Sequence, residues 1–197
     1  MIGRIASLAG VALAAAILYG MQRTTPLYSD ITSPIPVAGR QGERVETEDF
    51  AIGIANVHLA RRLAAQDFRG ERSHTTSGVW VIVEGAVETK RESLSLTSAE
   101  WLGPDGARYA HTQRLATMPG LPGIERLEPG IPRPMLMVFE VPESQLSGAR
   151  LLVAPSALTP LQQETRIAMA DLRPENIRPS VTLGRGGSLL PWTLEVE

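Results

Sequence analysis

A stretch without any charged residue, residues 5–21, places the strongest constraint on how this chain can be organised. A short basic start that includes Arg4 precedes it, and no stretch of similar length and hydrophobicity recurs in the rest of the chain. At about 1.5 Å rise per residue such a helix is roughly 25 Å long, the short end of what a membrane-spanning helix requires. We therefore predict that residues 1–22 form a single transmembrane anchor.

A cleaved secretory signal peptide is the alternative interpretation of the same stretch. Arg4 would supply its basic start, residues 5–13 its apolar core, and the three alanines 14–16 its cleavage site. The apolar run continues past these alanines to Tyr19, which favours an uncleaved anchor. Both interpretations place the C-terminal part outside the cytoplasm. The anchor predicts a single-pass protein of a bacterial inner membrane, with a cytoplasmic N-terminus and a periplasmic C-terminal domain.

Four small residues recur at helical spacing within this segment, namely Gly3, Ala6, Gly10 and Ala14. In lipid, a stripe of small residues lets two helices approach closely and gain packing energy. An alanine-rich composition also produces this spacing by chance. The functional interpretation predicts that the stripe packs against a helix of a membrane partner.

Residues 23–42 are predicted to form a proline-rich extended linker, because proline interrupts helices and favours extended backbone. The segment is more apolar than a spacer requires, and its large apolar residues are Leu27, Tyr28, Ile31, Ile35 and Val37. These side chains either dock on their own domain or form a strap along a neighbouring subunit. The strap interpretation makes Leu27, Tyr28, Ile31 and Ile35 partner-binding residues.

The charge balance and the absence of cysteine exclude several functional classes. The chain has 19 basic and 21 acidic residues, so it lacks the excess of positive charge expected of a nucleic-acid-binding protein. It contains no cysteine, which excludes disulfides, thiolate metal sites, cysteine nucleophiles and covalent haem attachment. An exported domain of this size must therefore be held together by its hydrophobic core.

Alternating apolar residues predict strands from residue 43 onward. Phe50, Ile52 and Ile54 point to one side of a first strand. The run 78–89 is the strongest strand signal, since its valines alternate with Trp80 and Ile82 on the opposite face. Two apolar faces are typical of a strand in the centre of a sheet.

Further short strands are predicted, separated by glycine and proline turns, at residues 94–96, 99–102, 135–141, 151–153 and 166–172. Residues 156–165 are a candidate for one short helix. Many short strands between such turns favour an all-β sandwich.

The order of these elements resembles a known family. Its most specific parts are Gly-Pro-Asp-Gly-Ala-Arg-Tyr at 103–109, Leu-Glu-Pro-Gly at 127–130 and Met-Val-Phe-Glu-Val-Pro at 137–142. The sequence from 42 to 155 is similar to the extracytoplasmic immunoglobulin-like family of unknown function found in bacterial exported lipoproteins and secreted antigens. The resemblance implies an immunoglobulin-like β-sandwich over residues 43–155 and no catalytic residues. Unlike the lipoprotein members, this chain lacks an anchoring cysteine, for which the N-terminal helix would substitute.

Residues 156–197 are predicted to form a C-terminal arm with a possible extra strand. The Gly-Arg-Gly-Gly sequence at 184–187 lacks the Lys-Ser/Thr of a phosphate-binding loop and is interpreted as a flexible hinge. Trp192 is notable because chain termini are usually polar and frayed. It either pins the tail onto the sandwich or serves as an aromatic anchor for a partner.

Residue types that carry chemistry are present but do not form a recognisable pattern. His58, His74 and His111 lack the spacing of a metal site or a catalytic motif. His58 continues the Phe50 face of its strand, so we expect it to be partly buried and hydrogen-bonded. His74 lies in the polar stretch 69–77, which we expect to be an exposed loop. Glu84 and Glu88 lie on one strand face about 13 Å apart at the strand rise, and we expect both to be solvated. The sequence therefore predicts no enzyme, no catalytic residue, no metal site and no cofactor.

Two functional hypotheses follow. The first is a non-catalytic, membrane-anchored extracytoplasmic subunit or scaffold that binds other membrane or periplasmic proteins in a multi-subunit inner-membrane complex. The second is a periplasmic binding module for a small ligand, a metal or an envelope polymer. The second hypothesis requires polar groups that converge in a pocket, and His58, His111 and Trp80 are its candidates.

Overall fold

The structure, a computed structural model, describes residues 2–25, 32–67, 70–115, 118–170 and 172–197. Within these ranges it describes the side chains from Gly10 onward, except that of Asp67. Contacts divide the chain into a unit of residues 1–33 and a unit of residues 34–197. Leu27, Tyr28 and Ile31, predicted to bind a partner, lie outside the described residues.

The first unit contains helix α1, Ile2–Thr24. Its side chains are solvent-exposed from Gly10 onward, and Val11, Leu13 and Leu18 are each more than 60% exposed. The last turn carries Arg23, a favourable place for a cation at the negative end of the helix dipole. Within the part of the chain that the structure describes, no helix combines the length and hydropathy that a bilayer crossing demands.

The second unit is a two-sheet β-sandwich, which confirms the predicted all-β class. The strands found in the described residues are β1 (Ile35–Arg40), β2 (Arg44–Glu46), β3 (Phe50–Asp67), β4 (Gly70–Thr89), β5 (Ser98–Leu102), β6 (Arg108–Ala110), β7 (Arg133–Val141), β8 (Arg150–Ala154), β9 (Gln163–Ala168), β10 (Ile177–Arg185) and β11 (Trp192–Val196). One sheet has the order β1-β9-β8-β5-β6. The other has the order β11-β10-β3-β4-β7, with β2 paired to β3.

The inter-sheet core fills the space between the two sheets. It receives Phe50, Ile52 and Ile54 from β3 and alternate valines from β4, as the period-two pattern predicts. Trp101 packs against Phe139 with ring centroids 5.9 Å apart. The Trp101 indole N–H donates a 2.9 Å hydrogen bond to the Gln145 carbonyl, so the buried polar group of this large side chain is satisfied.

A second hydrophobic cluster, here called the outer-face cluster, covers the opposite face of the six-stranded sheet. Its centre is Trp80 and Ile82 of β4, both fully buried. The cover comes from the segment between β6 and β7 and from β11, and its buried members are Leu115, Met118, Leu121 and Trp192. The prediction that the run 78–89 is a central strand with two apolar faces is confirmed, because β4 lies between β3 and β7.

The six-stranded sheet folds back on itself at two irregularities in the β3–β4 pairing. The register shifts between Ile54 and Asn56 and again between Ala60 and Arg62. Glu84 lies opposite Asn56 of β3, whereas Leu183 of β10 pairs with Ala65, nine residues further along β3. Because β11 pairs with β10, in a flat sheet β11 would lie roughly 30 Å from Glu84. The Trp192 indole nevertheless contacts Glu84. The distal half of the β3–β4 hairpin, which is the half next to its turn, therefore bends over the other half.

Three local predictions are corrected by the structure. The polar stretch 69–77, predicted to be an exposed loop, belongs largely to β4, which begins at Gly70 and pairs with the distal half of β3. The candidate helix at 156–165 is absent from these described residues, and β9 begins within it at Gln163. The predicted C-terminal arm supplies three strands to the two sheets, and the predicted hinge lies where β10 ends.

Candidate functional site

The four small residues of the predicted stripe all lie within helix α1, and their spacing places them on one face. Gly10 and Ala14 are exposed. A Cβ atom built on Gly10 meets no atom within 4 Å, so this position is open to a neighbouring molecule.

Ile35 lies in β1, which is part of the five-stranded sheet of its own domain. Its N–H donates a 3.0 Å hydrogen bond to the Gln162 carbonyl, and its side chain is 47% exposed. At this residue the backbone therefore pairs with its own sandwich while the side chain stays about half exposed, so partner binding by Ile35 stays a prediction.

Two of the three outward backbone positions of β1 offer no free N–H for pairing with another chain. β1 pairs with β9 in parallel, so alternate residues direct their N–H groups away from β9. The outward position Pro36 has no N–H, and the Arg40 N–H is already bonded to the Glu43 carboxylate at 3.1 Å. Proline and a local carboxylate are recognised means of preventing edge-to-edge association.

Trp192 is buried in the outer-face cluster with only 1% of its surface exposed. Its indole N–H donates a 2.8 Å hydrogen bond to Glu84 Oε1. The ring lies so close to Gly120 that a Cβ atom built there would be 2.3 Å from it. Trp192 therefore pins the tail onto the sandwich, which is the first of its two interpretations. Its side chain is buried and is not accessible to a partner protein.

Glu84 connects the tail to β3. Its carboxylate accepts hydrogen bonds from the Trp192 indole and from His58 Nε2 at 3.0 Å, with Asn56 Nδ2 at 3.4 Å. Burial by itself would raise the pKa of Glu84, but these three donors outweigh it and the pKa is lowered. The expectation that Glu84 is solvated is wrong, since its side chain is 16% exposed.

His58 lies on the opposite face of β3 from the one that the alternation predicts. The alternation puts it on the Phe50 face, but the bulge after Ile54 reverses which side faces the inter-sheet core. Leu59 therefore enters the inter-sheet core, while His58 lies on the other face beside Glu84. The expectation that His58 is partly buried and hydrogen-bonded is confirmed.

The residues required by the ligand-binding hypothesis do not form one site. Trp80 is fully buried, donates to the His74 carbonyl and lies beneath the Arg114 guanidinium at 5.3 Å. His111 follows β6, contacts Gln113 and has a pKa lowered by burial. Neither Trp80 nor His111 is hydrogen-bonded to His58 or to its partner Glu84. Among the described residues, no group of three or more histidine and acidic side chains is placed to hold a metal ion.

Exposed apolar side chains from two separate segments form what we call the apolar patch. Leu189 is 92% exposed and Leu190 43% exposed, in the connection between β10 and β11. Ile124 and Ile131, each about half exposed, lie in the segment before β7. The two segments meet in a shallow cleft, lined by Glu125, Arg133, Pro134, Ser188 and Pro191. Ile124, Leu189 and Leu190 each adjoin a lining residue of this cleft in sequence, and exposed apolar side chains that lie close together are typical of interaction sites.

Comparison with known proteins identifies the fold and no family. No family model matches the sequence, and no curated protein is similar to it. The yjhA protein from Bacillus subtilis is 12% identical with a TM-score of 0.53, covering 67% of this chain and 99% of that protein. The secreted protein MPT63 from Mycobacterium tuberculosis is 12% identical with a TM-score of 0.51, covering 69% and 99%.

A third solved structure, an uncharacterized β-sandwich protein from Clostridium difficile 630, is 13% identical with a TM-score of 0.43. The fold comparison rests on the first two proteins. The chain therefore has a β-sandwich fold that is also found in bacterial proteins, one of them secreted.

Proposed function

We propose that this protein is a non-catalytic scaffold, anchored in a bacterial inner membrane by its N-terminal segment, residues 1–22, with the uncharged run 5–21, and that its periplasmic β-sandwich binds other proteins of a membrane complex. The exposure of the apolar side chains of α1 is the observation that carries this proposal. Val11, Leu13, Ile17 and Leu18 are each more than half exposed. Covering such side chains with lipid contributes about 25 cal/mol for each Å² of apolar surface removed from water.

The C-terminal end of α1 is suited to the boundary between lipid and water. The Arg23 guanidinium lies 5.3 Å from the centre of the Tyr19 ring, and its Nη2 donates a 2.9 Å hydrogen bond to the Tyr19 hydroxyl. Tyrosine and arginine are enriched at this boundary, because each combines an apolar body with a polar end. The hydroxyls of Thr24 and Thr25 cap carbonyls of the last turn.

Export of the sandwich is supported by two resemblances. MPT63, which shares the fold, is a secreted protein. The motifs at 103–109, 127–130 and 137–142 are similar to the extracytoplasmic immunoglobulin-like family of unknown function. We propose that this sandwich belongs to that immunoglobulin-like class and works on the periplasmic side.

Contacts with partner proteins are assigned to two surfaces. Within the bilayer, the face of α1 that carries Gly10 and Ala14 packs against a helix of a partner subunit. Outside the bilayer, the apolar patch around Leu189 supplies a second contact. The alternative function, a ligand-binding module built on His58, His111 and Trp80, loses its support because these residues do not converge.

Replacing Gly10 with isoleucine is expected to reduce recovery of membrane partners by about tenfold in mild detergent. The added side chain meets nothing within its own chain, so it blocks only the close approach of another helix. Gly20→Ile is the matched control, because Gly20 is equally open and lies roughly 80° around the helix axis from Gly10. Quantitative mass spectrometry of affinity-purified chains measures the effect. Equal recovery of partners with both variants would contradict the helix contact.

A further inference from the structure

A cleft opens along one edge of β3, in the gap between β2 and β10, which pair with successive parts of that edge. β2 pairs with residues 51–53, and the Gly42 N–H donates to the Ile54 carbonyl. The pairing with β10 begins only at Leu59. On this edge, residues 55–58 therefore have no partner strand among the described residues.

The cleft, which we call the edge cleft, has a volume of about 340 Å³. At roughly 30 Å³ for each water-sized group, it accommodates on the order of ten non-hydrogen atoms. Its apolar walls come from three separate parts of the sandwich, and they are Val57, Leu59, Leu172 and Val196. A concave site of this size with mostly apolar walls is typical of small-molecule binding.

Three polar side chains complete the edge cleft, namely His58, Asn176 and Arg178. Arg178 is exposed and forms no ion pair with a described residue, and Asn176 precedes it by two residues. Because the carboxylate of Glu84 is an acceptor, His58 Nε2 carries the proton in that pair. The other ring nitrogen of His58 has no described partner.

The charges around the edge cleft favour an anion over a cation. The nearby carboxylate of Glu84 already accepts hydrogen bonds from Trp192, His58 and Asn56. Glu197, which follows Val196, accepts a 2.6 Å hydrogen bond from the Ser180 hydroxyl. The Arg178 guanidinium is the cationic group that lines the cleft, and its planar fork matches a carboxylate.

We infer that the edge cleft binds a short aliphatic ligand that ends in a carboxylate. The carboxylate pairs with Arg178 and accepts a hydrogen bond from the Asn176 amide. The aliphatic part lies against Val57, Leu59, Leu172 and Val196. Such a ligand has two possible sources, a free alkanoate or the last residue of a peptide. A peptide gains further hydrogen bonds with the unpaired edge of residues 55–58.

The three indole N–H groups provide a direct measurement of binding. The Trp192 N–H is bonded to Glu84, which also holds His58 of the edge cleft. The Trp80 and Trp101 N–H groups are bonded to backbone carbonyls elsewhere and serve as internal references. The full chain, labelled with ¹⁵N and placed in lipid nanodiscs, is titrated with hexanoate and with N-acetyl-leucine. Hexanamide and N-acetyl-leucinamide are the uncharged controls.

Both carboxylates are expected to shift the Trp192 indole signal in a saturable way, while the two amides leave it unchanged. Tighter binding of N-acetyl-leucine identifies a peptide end as the better ligand, and tighter binding of hexanoate identifies an alkanoate. Arg178→Gln is expected to weaken binding at least about tenfold, since a charge-assisted hydrogen bond is lost. Arg91→Gln makes the same charge change at an exposed position outside the cleft and leaves binding unchanged.

Two results would overturn this assignment. One is the absence of any shift with either carboxylate in a chain whose backbone spectrum shows the folded sandwich. The other is binding that the amides match or that Arg178→Gln retains. The Gly10→Ile experiment does not involve the edge cleft, so either proposal can fail without the other.

Discussion

Replacing Trp192 with alanine is expected to lower the free energy of unfolding of the sandwich by about 4 kcal/mol. The side chain is among the largest that are fully buried, and it closes the outer-face cluster over Trp80 and Ile82. Its removal leaves a cavity, and it also takes one hydrogen bond from the partly buried carboxylate of Glu84. Both effects act in the same direction.

Urea unfolding of the full chain in detergent, followed by the circular dichroism of the strands, measures this loss. Leu189→Ala is the matched control, since Leu189 is three residues away and 92% exposed. Its change is expected to stay within about 0.5 kcal/mol. If Trp192→Ala changes stability no more than this control does, the tail is not pinned by its tryptophan.

Replacing Gly78 with alanine is expected to cost about 3 kcal/mol. A Cβ atom at this position would lie 2.2 Å from the Val141 carbonyl oxygen and 2.8 Å from its carbon. These are backbone atoms of β7, next to the point where Val79 pairs with Val141, so no side-chain rotation relieves the overlap. Alanine at position 78 is therefore accommodated only if β4 and β7 move apart at this point.

Gly53→Ala is the control for this second prediction. Its added Cβ would have the Glu43 carbonyl oxygen as nearest neighbour at 3.8 Å, which is ordinary contact. Alanine there is expected to leave stability unchanged or to raise it by up to about 1 kcal/mol, because it restricts the unfolded chain. Thermal unfolding of both variants compares the two. Equal melting temperatures for Gly78→Ala and the unmodified chain would refute the close approach of β4 and β7.

The sequence pattern predicted the parts of the sandwich that depend on local alternation. The valines of β4 and the apolar residues at the start of β3 face the inter-sheet core as expected, and Trp80 faces the other way. The pattern failed at His58, because a β-bulge adds one residue without any signature in composition. One extra residue reverses the face of the residues that follow it, in β3 as far as the second irregularity between Ala60 and Arg62.

The remaining differences come from contacts between residues far apart in sequence. The hydrogen bond between Trp192 and Glu84 joins positions 108 residues apart. β10 pairs in parallel with β3, which comes more than a hundred residues earlier. A glycine-rich stretch looks the same whether it is a hinge or the end of a strand. Only the pairing partners, which local periodicity does not encode, distinguish the two.

The retention of the N-terminal helix in the membrane is the central claim, and intact-mass measurement of the native chain tests it most directly. Membranes and periplasmic contents of the producing bacterium are separated, and the chain is purified from each. We predict a chain that retains residues 1–22, is released from membranes only by detergent, and is cleaved by protease added to spheroplasts. A chain that begins beyond Ala16 and is recovered from the periplasm without detergent would contradict the account.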